Sequence, residues 1–134
     1  MILGIGVDLV HVPRVERALG RFAARFARRI LDPEEFAEFE GLPIGSGSPG
    51  RRARFLAMRF AAKEAAAKAL GTGFRGGVAP RQFGVRRTGL GAPFLVVNGR
   101  AAQTVAERGN GATLHLSLAD ENEYALAFVT FSSS

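Results

Sequence analysis

The sequence predicts an α+β domain, a mainly antiparallel sheet with one long helix laid against it. Three observations carry this prediction. The periodic segments run strand, helices, long helix, then four short strands around a short helix, which is a segregated rather than alternating order. Residues 54–70 form an alanine-rich helical run closed by Gly71. Segments 113–118 and 124–131 flank the polar turn ADENE, the pattern of an antiparallel hairpin. At 134 residues the chain fits one domain, 1–134, with its own core.

Each element has its own justification. Residues 2–10 (ILGIGVDLV) read as a buried strand, rich in β-branched residues, with glycines where a second backbone can approach closely. Pro13 suits a helix's first turn, and Val15, Leu19, Phe22, Phe26 and Ile30 then keep a helical period. Gly20 weakens the middle, so this stretch reads as two helices or one bent one. Asp32-Pro33-Glu34-Glu35 offers an N-cap, a proline at the first helical position and acids in the first turn. GLPIGSGSPGRR (41–52) reads as a flexible loop. The long helix then runs from about Arg54 to Leu70, with Gly71 as C-cap. Phe83–Arg87 and Phe94–Val97 read as strands around TGLGAP, and Arg100–Arg108 as a short helix. The serines 132–134 read as a frayed tail.

Composition narrows the function. The chain is 47% hydrophobic and 22% charged, which is globular rather than disordered composition. Its lack of cysteine excludes a disulfide scaffold, a thiolate metal site and a cysteine nucleophile, and suits a reducing cytoplasm. The apolar N-terminus is broken by Asp8 with no basic region before it, a poor secretory signal and too short to cross a membrane. A net charge of +6 and a pI near 11.2 point to an acidic partner. The charge is concentrated: Arg14, Arg17, Arg21, Arg25 and Arg28 share one side of the first helical stretch, where Glu16 is the only acid. Such single-sign charge repels itself, so the stripe reads as a docking surface rather than a solvated face. Nucleic acid would also suit it, but aromatic stacking platforms are scarce, with no Trp and one Tyr.

Most acids fall where solvent-facing acids belong, in the 32–40 helix and the 120–123 turn. Asp8 and Glu64 differ. Asp8 lies inside an apolar strand, where an unpaired charge is costly. Glu64 lies among small alanines in RFAAKEAAAKALGTG (59–73). Converging, the two would make a hard-oxygen site of the kind Mg²⁺ takes. The plainer reading has Asp8 capping a helix or pairing with an arginine, and Glu64 pairing with Lys68 four residues on. Spacing alone favours this plainer reading. After Lys68, the N–H groups of Gly71, Thr72 and Gly73 either line an anion site or simply end the helix. His115 and Ser117 alternate on one face of a strand, as packed residues or ligand hydrogen-bonders. No serine-nucleophile motif accompanies them.

Taken together these segments resemble the short bacterial 4′-phosphopantetheinyl transferases of the holo-[acyl-carrier-protein] synthase type. The resemblance rests on GIGVDLV (4–10), PRVE (13–16), RFARRIL (25–31), RFAAKEAAAKALGTG (59–73), GAP (91–93) and LHLSL (114–118), in order along nearly the whole chain. It implies the fold of that family and transfer of 4′-phosphopantetheine from coenzyme A to a serine of apo acyl carrier protein, releasing adenosine 3′,5′-bisphosphate. By position, Asp8 and Glu64 become Mg²⁺ ligands and Lys68 a phosphate contact. Arg59, Gly71, Thr72, His115 and Ser117 fall near the coenzyme. Arg14, Arg21, Phe26 and Arg29 fall where the acidic carrier docks. The family is typically a cytoplasmic homotrimer with sites between subunits, and the alanines of 61–67 are then expected to let coenzyme and neighbour approach the helix. Two departures concern the adenosine end: Ala119-Asp120 replaces a Ser/Thr-His pair, and the 41–52 loop is long, leaving Arg51 and Arg52 without a clear role. No side-chain general base is evident; a metal-bound hydroxide or a water held by Glu64 is expected to take the serine proton. The alternatives are a transferase for a secondary-metabolism carrier, such as a polyketide one, and a non-enzymatic basic RNA-binding domain.

Overall fold

The computed structural model describes residues 1–22, 24–45 and 50–134. Strand β1 (Ile2–His11) leads into helices α1 (Val12–Phe22) and α2 (Ala24–Ile30), then α3 (Pro33–Glu40) and the long α4 (Arg51–Leu70). A 3₁₀ turn, Pro80–Gln82, opens the hairpin β2 (Phe83–Arg87) and β3 (Pro93–Val97). Helix α5 (Gly99–Glu107) precedes β4 (Thr113–Glu121) and β5 (Tyr124–Ser132). The strands form two antiparallel sheets, one in the order β1-β5-β4 and one of β2 with β3. The predicted α+β class therefore holds, with the antiparallel strands divided between two sheets.

Helix α4 is the axis of the molecule because its alanines leave it thin. Ala61, Ala62, Ala65, Ala66 and Ala67 are all buried in this chain's own core. The C-terminal half of α4 packs with Phe83, Val129 and Phe131 beneath the sheets. Its N-terminal half packs with Val12, Ile30, Phe36 and Phe39 of the first three helices. This corrects the expectation that the alanines receive a ligand or a neighbouring subunit: they receive β1. A Cβ placed on Gly6 would sit 1.9 Å from the carbonyl oxygen of Ala65, and one on Gly4 1.9 Å from that of Ala69. Strand and helix thus meet backbone to backbone, which only glycine permits.

Several boundaries moved for identifiable reasons. Arg51 and Arg52 belong to α4, not to a loop. Gly50 caps the helix and donates its N–H to Glu16 at 2.6 Å. The Arg52 guanidinium donates to the carbonyls of Glu40 and Leu42 and lies 4.9 Å over the Phe39 ring, closing the end of α3. Residues 46–49 of the expected 41–52 loop lie outside the described residues. The tail is tied down as far as Ser133, whose N–H and carbonyl pair with the carbonyl and amino group of Met1. The apolar stripe of the first helices does not stay inside: Val12, Val15, Ala27 and Ile30 are buried, whereas Phe22 faces out and Phe26 is half-buried.

Candidate active site

The backbone contact between β1 and α4 sets two carboxylates beside each other. Asp8 follows Gly6 on the helix-facing side of β1, and Glu64 precedes Ala65, the residue whose carbonyl Gly6 touches. The Asp8 side chain is only 12% exposed. Lys68, one turn beyond Glu64, reaches across to β1: its Nζ donates to Asp8 Oδ1 at 3.1 Å and to the Val7 carbonyl at 2.9 Å. The helical spacing of Glu64 and Lys68 is therefore not used for an ion pair with each other; the lysine's ion pair is with the strand. Burial, then the like charge of Asp8 and a hydrogen bond to it, push the Glu64 carboxyl above the usual range, with Lys68 opposing. Two carboxylates sharing one exposed ammonium are short of positive charge. This hard-oxygen donor set, with no third carboxylate or imidazole grouped with it among the described residues, fits a small divalent cation of the Mg²⁺ type, which leaves sites for water and phosphate oxygens.

The carboxylates open into a cleft of about 330 Å³ whose walls include His11, Arg14, Phe26 and Phe60. Phe26 is shared with a second hollow of about 360 Å³, lined by Phe22, Arg25 and Arg29. Arg21 lies 5.4 Å over the outward-facing Phe22 ring. Of the predicted docking residues, Phe26 and Arg29 line this hollow, Arg14 lines the carboxylate cleft, and Arg21 stacks on Phe22 beside them. Another hollow, between Leu19, Phe39 and Ile44, shares no residue with that cleft.

The remaining predicted residues are not gathered there. Arg59 is buried towards α3, 3.5 Å over the Phe55 ring, with Nη2 3.9 Å from Glu38 and its Nε without a partner. Burial lowers its pKa, partly offset by Glu38 and Glu35. Gly71 takes a left-handed conformation (φ 81°), and the N–H groups of Gly71, Thr72 and Gly73 donate to the carbonyls of Lys68 and Ala67. Those three donors close the end of the helix on its own carbonyls. His115 and Ser117 are exposed on β4, at the edge of the sheet opposite β1, and His115 Nε2 lies 3.0 Å from the Ser132 hydroxyl. Two strand spacings, about 10 Å, separate that edge from β1. Asp120 has its own counter-charge, with Arg54 Nη1 3.7 Å away.

Sequence reasoning missed a buried network at the other side of α4. Lys63 is 0% exposed, and its Nζ donates to Glu35 Oε1 at 2.6 Å and to the Phe83 carbonyl. Glu35 completes a capping box with Asp32 and accepts the Val85 N–H at 2.9 Å. Arg86 bridges Asp32 at 2.7 Å and Glu34. Asp32 and Glu35 are thus interior residues, not the solvent-facing acids expected of a surface helix. Desolvation would raise the Asp32 carboxyl, but the Arg86 hydrogen bond and charge and the Glu35 N–H outweigh it and lower the pKa. The D-x-x-E spacing was the available signal for the cap; nothing local marks its burial.

Comparison with known proteins gives the family. The model of the 4′-phosphopantetheinyl transferase superfamily matches residues 4–129. The chain belongs to that superfamily. A holo-[acyl-carrier-protein] synthase of Nitrosococcus oceani is 55% identical over 130 residues, 97% of this chain and 79% of the relative. The crystal structure of holo-[acyl-carrier-protein] synthase from Neisseria meningitidis superposes with a TM-score of 0.85 at 42% identity, covering 99% of this chain and 100% of the other. A holo-(acyl-carrier-protein) synthase from Bacillus anthracis, in complex with CoA (3′,5′-ADP), gives 0.80 at 36% identity, covering 100% and 99%. The chain is thus a phosphopantetheinyl transferase of the holo-[acyl-carrier-protein] synthase family, with the fold of these relatives.

Proposed function

We propose that the enzyme transfers 4′-phosphopantetheine from coenzyme A to a serine of an acidic apo acyl carrier protein, with Mg²⁺ held by Asp8 and Glu64, and releases adenosine 3′,5′-bisphosphate. The observation that carries this reading is the carboxylate pair itself, drawn together by a backbone contact and short of positive charge. Bound there, Mg²⁺ would supply positive charge to the pyrophosphate oxygens and so favour departure of the phosphate. Lys68 stands beside Asp8 with its ammonium half exposed, available as a point charge to the same phosphates. The carrier's serine is the nucleophile, so the protein needs none of its own. Arg14, Arg21, Phe26 and Arg29 offer an apolar seat ringed by positive charge, which suits an acidic helix.

The site is shared between subunits in this reading. Arg59, Gly71, Thr72, His115 and Ser117 are assigned to the coenzyme, yet His115 and Ser117 lie across the sheet from Asp8. A neighbouring copy can supply the missing half. The outward face of β1 and β5 favours such an assembly: Val7 pairs with Phe128 and Leu9 with Leu126, all exposed, with Ile5 60% exposed beside them. A homotrimer closed through this face, working in the cytoplasm, is the form we propose.

Mass spectrometry of apo carriers incubated with coenzyme A and Mg²⁺ tests the reading. One added phosphopantetheine on the fatty-acid carrier, abolished by EDTA, is expected. Transfer only to a secondary-metabolism carrier would change the partner. Stabilisation by RNA, with no response to coenzyme A, would overturn the reading.

A further inference from the structure

We infer that His11, oriented by Glu123, is the general base that takes the proton from the carrier's serine. The inference rests on the transfer reaction proposed above and replaces the hydroxide or water expected from the sequence. His11 is the last residue of β1, and its neighbour Val12 begins the docking helix. It lines the cleft that also holds Asp8 and Glu64 on one side and Arg14 and Phe26 of the docking face on the other. A serine presented from the docking face to a phosphate held at the carboxylates would enter this cleft.

The ring has two neighbours. Its Nε2 lies 3.5 Å from Glu123 Oε2, and its centroid is 5.2 Å from that of Tyr124, its cross-strand neighbour. The backbone is fastened as well, with the Val12 N–H donating to the Glu123 carbonyl at 2.8 Å. In the tautomer that donates Nε2–H to Glu123, Nδ1 is left as the acceptor. The charged and titratable groups around His11 are Glu123 in the turn after β4 and Tyr124 on β5, which lie against its ring, and Asp8, Arg14 and Glu64, which line the same cleft. Asp8 and Glu64 are committed to the cation, a guanidinium has no lone pair to offer, and a phenol does not accept a proton near neutral pH. Imidazole does.

In the step, the serine O–H bond breaks and its proton passes to Nδ1 of His11. The serine oxygen bonds to the phosphorus that carries pantetheine. The bond from that phosphorus to the bridging oxygen breaks, and its electron pair leaves with adenosine 3′,5′-bisphosphate. The imidazolium, stabilised by Glu123, returns its proton to solvent.

Single-turnover transfer to apo carrier tests this, using wild type, His11→Gln, His11→Ala and Glu123→Gln, each checked by thermal melting and by calorimetric titration of coenzyme A with Mg²⁺. Wild type must transfer; if it does not, the proposed function itself fails. Given transfer, His11→Gln is expected to lower kcat about 10²-fold or more, with the coenzyme KM within about twofold. Free imidazole should restore part of the rate to His11→Ala, and Glu123→Gln should fall between wild type and His11→Gln. A His11→Gln enzyme at full rate overturns the assignment. So does a loss matched by an equal loss of coenzyme affinity, or a folded His11→Ala that imidazole does not help.

Discussion

Helix α4 carries two lysines five residues apart, and they live in opposite worlds. Lys63 is wholly enclosed, and all its partners are its own chain's: a carboxylate and a carbonyl, with the carboxylate in turn saturated by backbone N–H groups. Lys68 is half exposed and serves a carboxylate pair that one ammonium cannot satisfy. The enclosed group is complete and has nothing left to bind. The open group is incomplete, and its deficit has the sign and hardness of a magnesium ion. A lysine–carboxylate pair therefore says little until the unmet valence around it has been counted.

That contrast can be broken from either side. Lys63→Met leaves Glu35 as an unpaired interior charge, and denaturant unfolding should show a loss of about 3–5 kcal/mol. Adding Glu35→Gln should return part of it; equal stability of both variants would mean the charge is not what the fold depends on. Glu64→Gln should instead leave the unfolding midpoint near wild type while lowering transfer about 10²–10³-fold, measured at saturating coenzyme and Mg²⁺. Lys68→Ala should cost less stability than Lys63→Met, because its ammonium is half exposed, and weaken coenzyme binding more than it alters melting. The smallest effect is on pH. The fold holds the Glu64 proton above the ordinary carboxylate value of 4.5, so the folded state binds more protons than the unfolded one there. The associated stability is full below that value and is lost as pH rises through the raised pKa. Without metal, the melting temperature of wild type should fall relative to Glu64→Gln over that interval, and Mg²⁺ should remove the difference at neutral pH.

How much of this could be read beforehand depended on distance along the chain. Strand β1, the capped α3 and α4 with its Gly71 ending were legible because their signals are local: β-branched residues, an N-cap acid before a proline, a glycine after a helical run. The expected burial of β1 fails on one face, where Ile5, Val7 and Leu9 are exposed. Asp8 stood out because a charge in an apolar strand needs a partner, and Glu64 because it lies among alanines, yet residue spacing alone could not join the two. Their meeting depends on Gly6 lying on the Ala65 carbonyl, a contact across fifty-odd residues that no periodicity encodes. The same blindness put Asp32 and Glu35 on the surface. Their partners, Lys63 and Arg86, come from 28 and 54 positions away. Arg51 and Arg52 were read as loop because Gly and Pro precede them, whereas Glu16 and the end of α3 recruit them into a helix.

The contact of Gly4 and Gly6 with Ala69 and Ala65 has one more consequence. Elsewhere in the interior, the spacing between elements is a product of side-chain bulk, and it drifts whenever a residue is exchanged for a larger or smaller one. Where Gly4 and Gly6 meet α4 no side chain intervenes, so the gap there is already at its minimum. The separation of Asp8 from Glu64 is inherited from two main chains in direct touch, and the rest of the core is free to vary around it without detuning the site.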